Sequence, residues 1–173
     1  VLWVNEEAPY KTAKEYLDAV KKEPGKFNMA GTGTAQEDQI ITVQMEQAFG
    51  VKFGYVPFKG GGDVAVQLVG KHVNSTVNNP AEAVSHWRAK RLRALATIDH
   101  ERINLPLWKE IPTMKEATGV DMSYLMLRGI FGAPGITKEQ QEYYINVMKK
   151  VTETPEWKKY ISDMGLKGAY LTG

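Results

Sequence analysis

Apolar positions recur along much of the chain at the three-and-four spacing of a helix face, and each such stretch opens on a recognisable cap. Thr12-Ala13-Lys14-Glu15 has the form of a capping box, and Ala13, Tyr16, Leu17 and Val20 follow on one face until Pro24-Gly25 stops the helix. Within 36–49, Ile41, Met45, Ala48 and Phe49 predict a second apolar stripe closed by Gly50. A shorter helix is expected from Asp63, burying Ala65, Leu68 and Val69 before Gly70. Asn79-Pro80-Ala81-Glu82 reads as N-cap, first-turn proline and acid of another helix, with Val84 and Trp87 facing inward.

Short apolar runs at 26–30, 51–56, 73–77 and 92–98 separate these helices and predict strands. Strand and helix alternate, so the strands are expected to run parallel with right-handed crossovers. After the Phe131-Gly-Ala-Pro-Gly135 stretch the pattern changes. Thr137-Lys-Glu-Gln140 caps a helix bearing Tyr144, Val147, Met148 and Val151. Thr154-Pro155 caps a last one with Trp157, Tyr160, Ile161 and Met164 inward and Gly165 at its end. Only the tail LKGAYLTG offers a strand beside these two helices, so their stripes call for a partner. The reading is α/β: a parallel-strand lobe flanked by helices over 9–125, followed by a helical segment.

Composition narrows the function classes. The 173 residues are 43% apolar, enough for one well-buried domain, and the net charge of +2 gives no reason to expect nucleic-acid binding. The basic run Arg88-Ala-Lys90-Arg91-Leu-Arg93 lacks interleaved aromatics and is expected to be a solvated helix end. No apolar run of membrane-spanning length occurs, and cysteine is absent, which suits an oxidising compartment. The chain opens VLWVNEE without an initiator Met or signal peptide, and is expected to be a processed or trimmed product.

Chemistry concentrates where strands meet helices. Gly31-Thr32-Gly33-Thr34 follows one strand and opens the next helix, with Gln36 in the following turn. Glycine lets successive N–H groups converge, and the helix end adds about half a positive charge, so the knot suits an anion. It equally suits a plain turn with Thr34 as a cap. A dinucleotide fits worse, because Gln36 stands where that fingerprint needs glycine, and no phosphate-binding Gly-Lys-Ser/Thr occurs. Lys59, Gly60, Gly61 and Gly62 follow the next strand with flexible amides beside one cation. Asn78 and Asn79 follow the third, expected to offer two amides, with the Asn79 side chain also serving as a helix cap. In a parallel sheet all three junctions fall on the carboxyl edge, where open α/β sheets bind ligands.

Catalytic features are lacking. His72, His86 and His100 are expected to be isolated, without metal-ligand spacing, and no serine lies in a nucleophile elbow. Glu37 and Asp38 are accounted for as acids complementing a helix dipole. No catalytic group, metal or cofactor is expected.

Taken in order, "EPGKFNMAGTGTAQ", "YVPFKGGGDVAVQLVGKHV", "KRLRALATID", "IPTMKEATG", "LRGIFGAPGIT" and "GAYLTG" resemble the Bug-type solute-binding proteins of tripartite tricarboxylate transporters. That resemblance implies a periplasmic binding-protein fold of type II, two lobes closing on a small organic carboxylate and delivering it to membrane permease subunits. It implies ligand contacts at Gly31, Thr32, Gly33, Thr34, Gln36, Lys59, Gly60, Gly61, Asn78 and Asn79. It also implies a division into an interlobe strand at 1–8, a second lobe at 9–125, and a return crossing with first-lobe helices at 126–173. Family proteins are longer, and the missing part would cover the orphan stripes; left bare, these are expected to drive self-association. "VNNPAEA" departs from the family's frequent Ser-Pro-Ser turn. Two other classes stay open: a ligand-sensing module for signalling, and an enzyme acting on a small anionic substrate.

Overall fold

The computed structural model describes residues 1–172; Gly173, which ends the closing GAYLTG motif, lies outside the described residues. In chain order the elements are β1 (Leu2–Asn5), α1 (Ala13–Lys22), β2 (Asn28–Thr32), α2 (Glu37–Phe49), β3 (Gly54–Phe58), α3 (Gly61–Val69), β4 (Ser75–Thr76), α4 (Pro80–Arg88), β5 (Leu92–Ala96), α5 (Met114–Thr118), α6 (Lys138–Glu153) and α7 (Pro155–Met164).

Local chemistry sets these limits. Thr12 accepts from the Glu15 N–H while the Glu15 carboxylate takes the Thr12 N–H, which starts α1. The turn after α1 reaches further than its Pro-Gly signal: Lys26 N–H bonds back to the Glu23 carbonyl, so β2 begins at Asn28 and runs on through Gly31-Thr32. Half of the Gly-Thr knot is therefore strand. Helix α3 starts at Gly61 rather than Asp63, because Val64 N–H already reaches the Gly60 carbonyl. In α2 the buried stripe is Asp38, Ile41, Thr42 and Met45, while Ala48 is exposed.

The five strands are ordered β3-β2-β4-β1-β5. β2 pairs in parallel with β3 and β4, whereas β1 is antiparallel to both β4 and β5. Four strands thus share one direction, and the N-terminal strand is wedged among them in reverse. Its alternation sorts the core: Leu2 and Val4 face one apolar cluster with Tyr16, Leu17, Val20, Ile41 and Met45 of α1 and α2. Trp3 faces the other, with Val64 and Leu68 of α3, Ala83 and Val84 of α4, and Trp108. Fully burying a leucine or valine such as Leu2 or Val4 contributes about 1.5–3 kcal/mol, so β1 holds both layers of helices to the sheet.

Helix α5, capped by Thr113 and Glu116, adds to the first cluster through Met114 and stands where the apolar periodicity predicts no element. Helices α6 and α7 bury no residue, and the expected tail strand is absent over 166–172. Leu127, Ile130 and Phe131 stand 82%, 77% and 86% exposed ahead of them. Helix α7 touches the lobe at its end, where Met164 joins the second cluster and Gly165 lies against Trp108 and Pro80. Asp163 pairs with Arg88 at 3.6 Å, and Lys167 with Asp99 at 2.7 Å.

Candidate ligand-binding rim

Parallel pairing delivers three strand ends to one edge of the sheet. Thr32 of β2 lies opposite Phe58 of β3, and Ala30 opposite Thr76 of β4. The loops beyond are stitched together: Gly33 N–H donates to the Phe58 carbonyl at 2.9 Å, and Asn78 Nδ2 to the Gly61 carbonyl at 2.7 Å. Residues 31–36, 58–63 and 77–80 accordingly form one continuous rim.

The donors on this rim divide into engaged and open. Thr32 gives both its N–H and its hydroxyl to Asp38 Oδ2, at 2.7 and 2.8 Å. Ala35 N–H goes to Gln39 Oε1 at 2.7 Å. Gly33 (φ 58°) and Ala35 (φ 58°) are left-handed, which swings the loop around while Gln36 folds its side chain over Gly33. Thr34, Gln36 and Glu37 have no acceptor for their N–H groups among the described residues, and Gln36, rather than Thr34, is the N-cap of α2 without capping it by its side chain.

Helix α3 is open in the same way. Its N-cap is Gly60, which has no side chain to offer, so the amides of Gly61, Gly62 and Asp63 lack an acceptor among the described residues. By contrast α1, α5, α6 and α7 are closed by Thr12, Thr113, Thr137 and Thr154. Unsatisfied first-turn amides and the positive end of the helix dipole thus coincide at two adjacent points of the rim.

At the third junction the expectation of two free amides is corrected. Asn78 is fully buried; its N–H goes to Thr76 Oγ1, its Oδ1 accepts from the Thr76 hydroxyl, and its carbonyl accepts from Trp3 Nε1 at 3.0 Å. The Glu82 carboxylate accepts from Asn79 N–H at 2.9 Å, Asn79 Nδ2 at 3.3 Å and Asn78 Nδ2 at 3.1 Å. Buried amides find partners within the chain when nearby side chains can supply them. This turn is a strut that sets the spacing of α3 and α4. For the same reason Thr32 and Gly33 present no free N–H in this conformation.

Lys59 is exposed, makes no ion pair among the described residues, and helps line a shallow cavity of about 630 Å³ with Pro57, Phe58, Asp63, Val66 and Gln67. Tyr55 sits under the knot, its hydroxyl 3.0 Å from the Gly33 carbonyl. Burial, with the Asp38 carboxylate adding to it, pushes the Tyr55 phenol up to about 12. Asp38 goes beyond complementing a dipole, since it is 5% exposed and holds Thr32 in place.

Two further readings change. Arg93 belongs to β5 rather than to a solvated helix end, and its guanidinium ties down the carbonyls of Glu6, Ala8 and Tyr10. His100 is not isolated in space: Nε2 lies 2.8 Å from Ser123 Oγ and Nδ1 3.4 Å from Asp121 Oδ1. The His100 side chain is 67% exposed, without the water-excluded setting that activates a hydroxyl. Among the described residues no group of three or more His, Asp or Glu side chains could hold a metal ion, and no helix is long and apolar enough to cross a membrane.

Comparison with known proteins agrees with the architecture. The family model described as "Tripartite tricarboxylate transporter family receptor" matches residues 1–172. Among curated proteins, the "UPF0065 protein in gbd 5'region" of Cupriavidus necator is 25% identical over 170 residues, 98% of this chain and 51% of that protein. Protein BugT of Bordetella pertussis is 29% identical over 104 residues, 58% of this chain and 31% of BugT. Among solved structures, an R. palustris protein with adipate superposes with a TM-score of 0.88 at 17% identity, covering 95% of this chain and 55% of that one. MatC from Rhodopseudomonas palustris with bound malate gives 0.82 at 19%, covering 95% and 55%. The chain spans about half the length of the Cupriavidus necator protein, which it matches over 98% of its own length. With the fold and the match over residues 1–172 together, the chain belongs to the receptor family of the tripartite tricarboxylate transporters.

Proposed function

We propose that this chain forms one wall of a cleft that captures a small organic carboxylate in the periplasm and passes it, unaltered, to membrane permease subunits. One observation carries the reading: α2 and α3 are left uncapped side by side on the rim. A carboxylate lying across Thr34, Gln36 and Glu37 on one side and Gly61, Gly62 and Asp63 on the other would supply the acceptors those amides lack. Each charge-assisted bond contributes about 1.5–3 kcal/mol, so a few suffice for useful affinity. Lys59 adds a cation within reach of the same loop. Family membership supports the role, and the relatives solved with adipate and malate support the ligand class.

In this reading residues 1–8 and the stretch from 126 are crossings between lobes, β1 serving also as a strand of the second lobe at 9–125, and α6 and α7 pack on the other lobe except at the end of α7. The exposed Leu127, Ile130, Phe131, Tyr143 and Tyr144 lie against that lobe in the whole receptor, and drive self-association where it is missing. Ligand held between lobes shifts an open–closed equilibrium, and the permease reads the closed form. Calorimetric titration of the natural gene product carrying this chain, with mono-, di- and tricarboxylates, tests the proposal: saturable heat with at least one acid supports it, and none across the panel refutes it.

A further inference from the structure

We infer that Glu82 makes this rim selective for acids that carry their own hydrogen-bond donor, a hydroxyl or an ammonium group, over plain polycarboxylates. The inference rests on the carboxylate-receptor reading above. It starts from the charges: residues 31–38, 57–63 and 77–82 contain a single cation, Lys59, against the acids Glu37, Asp38, Asp63 and Glu82. A rim so composed does not attract anions by net charge. Its amides can hold one carboxylate, but a second one brought close meets like charge.

Glu82 stands where that matters. A Cβ built on Gly61, the first residue of uncapped α3, would fall 2.5 Å from both Glu82 Oε1 and Oε2, so the carboxylate lies against the open helix end. Its oxygens are unequally used. Oε2 accepts from Asn79 N–H at 2.9 Å and Asn78 Nδ2 at 3.1 Å, whereas Oε1 has only Asn79 Nδ2 at 3.3 Å. An ionised carboxylate has about four acceptor sites, which leaves room on Oε1. A ligand gripped by the Gly61 and Gly62 amides places its next substituents beside that oxygen. A hydroxyl or ammonium there forms a second, charge-assisted bond to Oε1; a bare methylene leaves Oε1 with only the Asn79 amide in a closed cleft, and a carboxylate is repelled.

Succinate, L-malate and L-aspartate share one carbon skeleton and differ at one position by hydrogen, hydroxyl or ammonium, so calorimetric titration of the natural gene product with the three isolates the effect. The expected result is that malate or aspartate binds at least about tenfold tighter than succinate, as one such bond predicts. In Glu82→Gln that gap shrinks to about twofold or less, because a neutral acceptor is much weaker. Succinate binding as tightly as both others, or a preference unaltered in Glu82→Gln, overturns the inference while leaving the receptor reading intact. Failure of every acid, citrate and acetate included, overturns that reading and the inference with it. Should Glu82→Gln not fold, the unmodified protein's ranking of the three acids decides alone.

Discussion

Asp38 Oδ2 accepts both the backbone N–H and the hydroxyl of Thr32, at 2.7 and 2.8 Å, across a separation of six residues. This pair holds the end of β2 against the start of α2, so the amides beyond it project from a fixed base rather than from a loose loop. Removing the carboxylate in Asp38→Ala leaves two donors without a partner beside a buried site. The expected loss is about 2–4 kcal/mol, one to two unsatisfied groups' worth, read as a lower urea midpoint at unchanged slope.

Gly31 is held by close approach rather than by backbone angle. A Cβ there would lie 2.5 Å from both Asp38 Cβ and the Tyr55 hydroxyl. Gly31→Ala is expected to cost about 1–3 kcal/mol by overpacking, and to cost ligand affinity as well, because Asp38 and the knot must move. Chemical unfolding and calorimetry on the same variant measure the two effects separately.

Gly165 tests how α7 is attached. Its φ of +64° disfavours any side chain, and a Cβ would fall 2.7 Å from Trp108 Cε2 and 2.9 Å from Pro80 Cβ. Gly165→Ala should therefore detach the end of α7 while the sheet and its two cores persist. The emission of the clustered Trp3, Trp87 and Trp108 should shift to longer wavelength, with far-ultraviolet circular dichroism nearly unchanged. An unshifted spectrum argues that α7 contributes nothing at that contact.

Tyr55 predicts a pH dependence. Its phenol holds its proton up to about 12, above the ordinary value of 10, chiefly through burial. A raised pKa in the folded protein means that the stabilisation is fully present below pH 10 and fades as pH rises from 10 to about 12. Stability of the unmodified protein should fall across that window more than that of Tyr55→Phe, as thermal melts at stepped pH would show. Parallel curves for the two proteins contradict this.

Much of the fold was legible in the sequence because its signals are local. Thr12, Thr137 and Thr154 announce their helices through caps completed within three residues, and Gly50 and Gly165 end theirs in the left-handed conformation. Helix α5 carried the same signal in Thr113-x-x-Glu116 and could have been found by it. What stayed hidden is long-range. The reversal of β1 between β4 and β5 is a matter of pairing, and the run Leu2-Trp3-Val4 is apolar on both faces whichever way it points. At the rim, the three junctions were legible from their glycines and polar turns. Which donors remain open was not, because Thr32 gives its N–H to the Asp38 carboxylate, Gly33 to the Phe58 backbone carbonyl of the neighbouring strand and Asn78 to the Thr76 hydroxyl, pairings set by how the folded loops and side chains settle.

The measurement closest to the central claim is an amide titration of the nitrogen-15-labelled natural gene product with the acid it binds best. The account predicts that the N–H resonances of Thr34, Gln36, Glu37, Gly61, Gly62 and Asp63 move most, and downfield, as they gain a charged acceptor, while those of Asn78 and Asn79 move little. Saturation with those six amides unmoved, and the shifts gathered elsewhere, would contradict it.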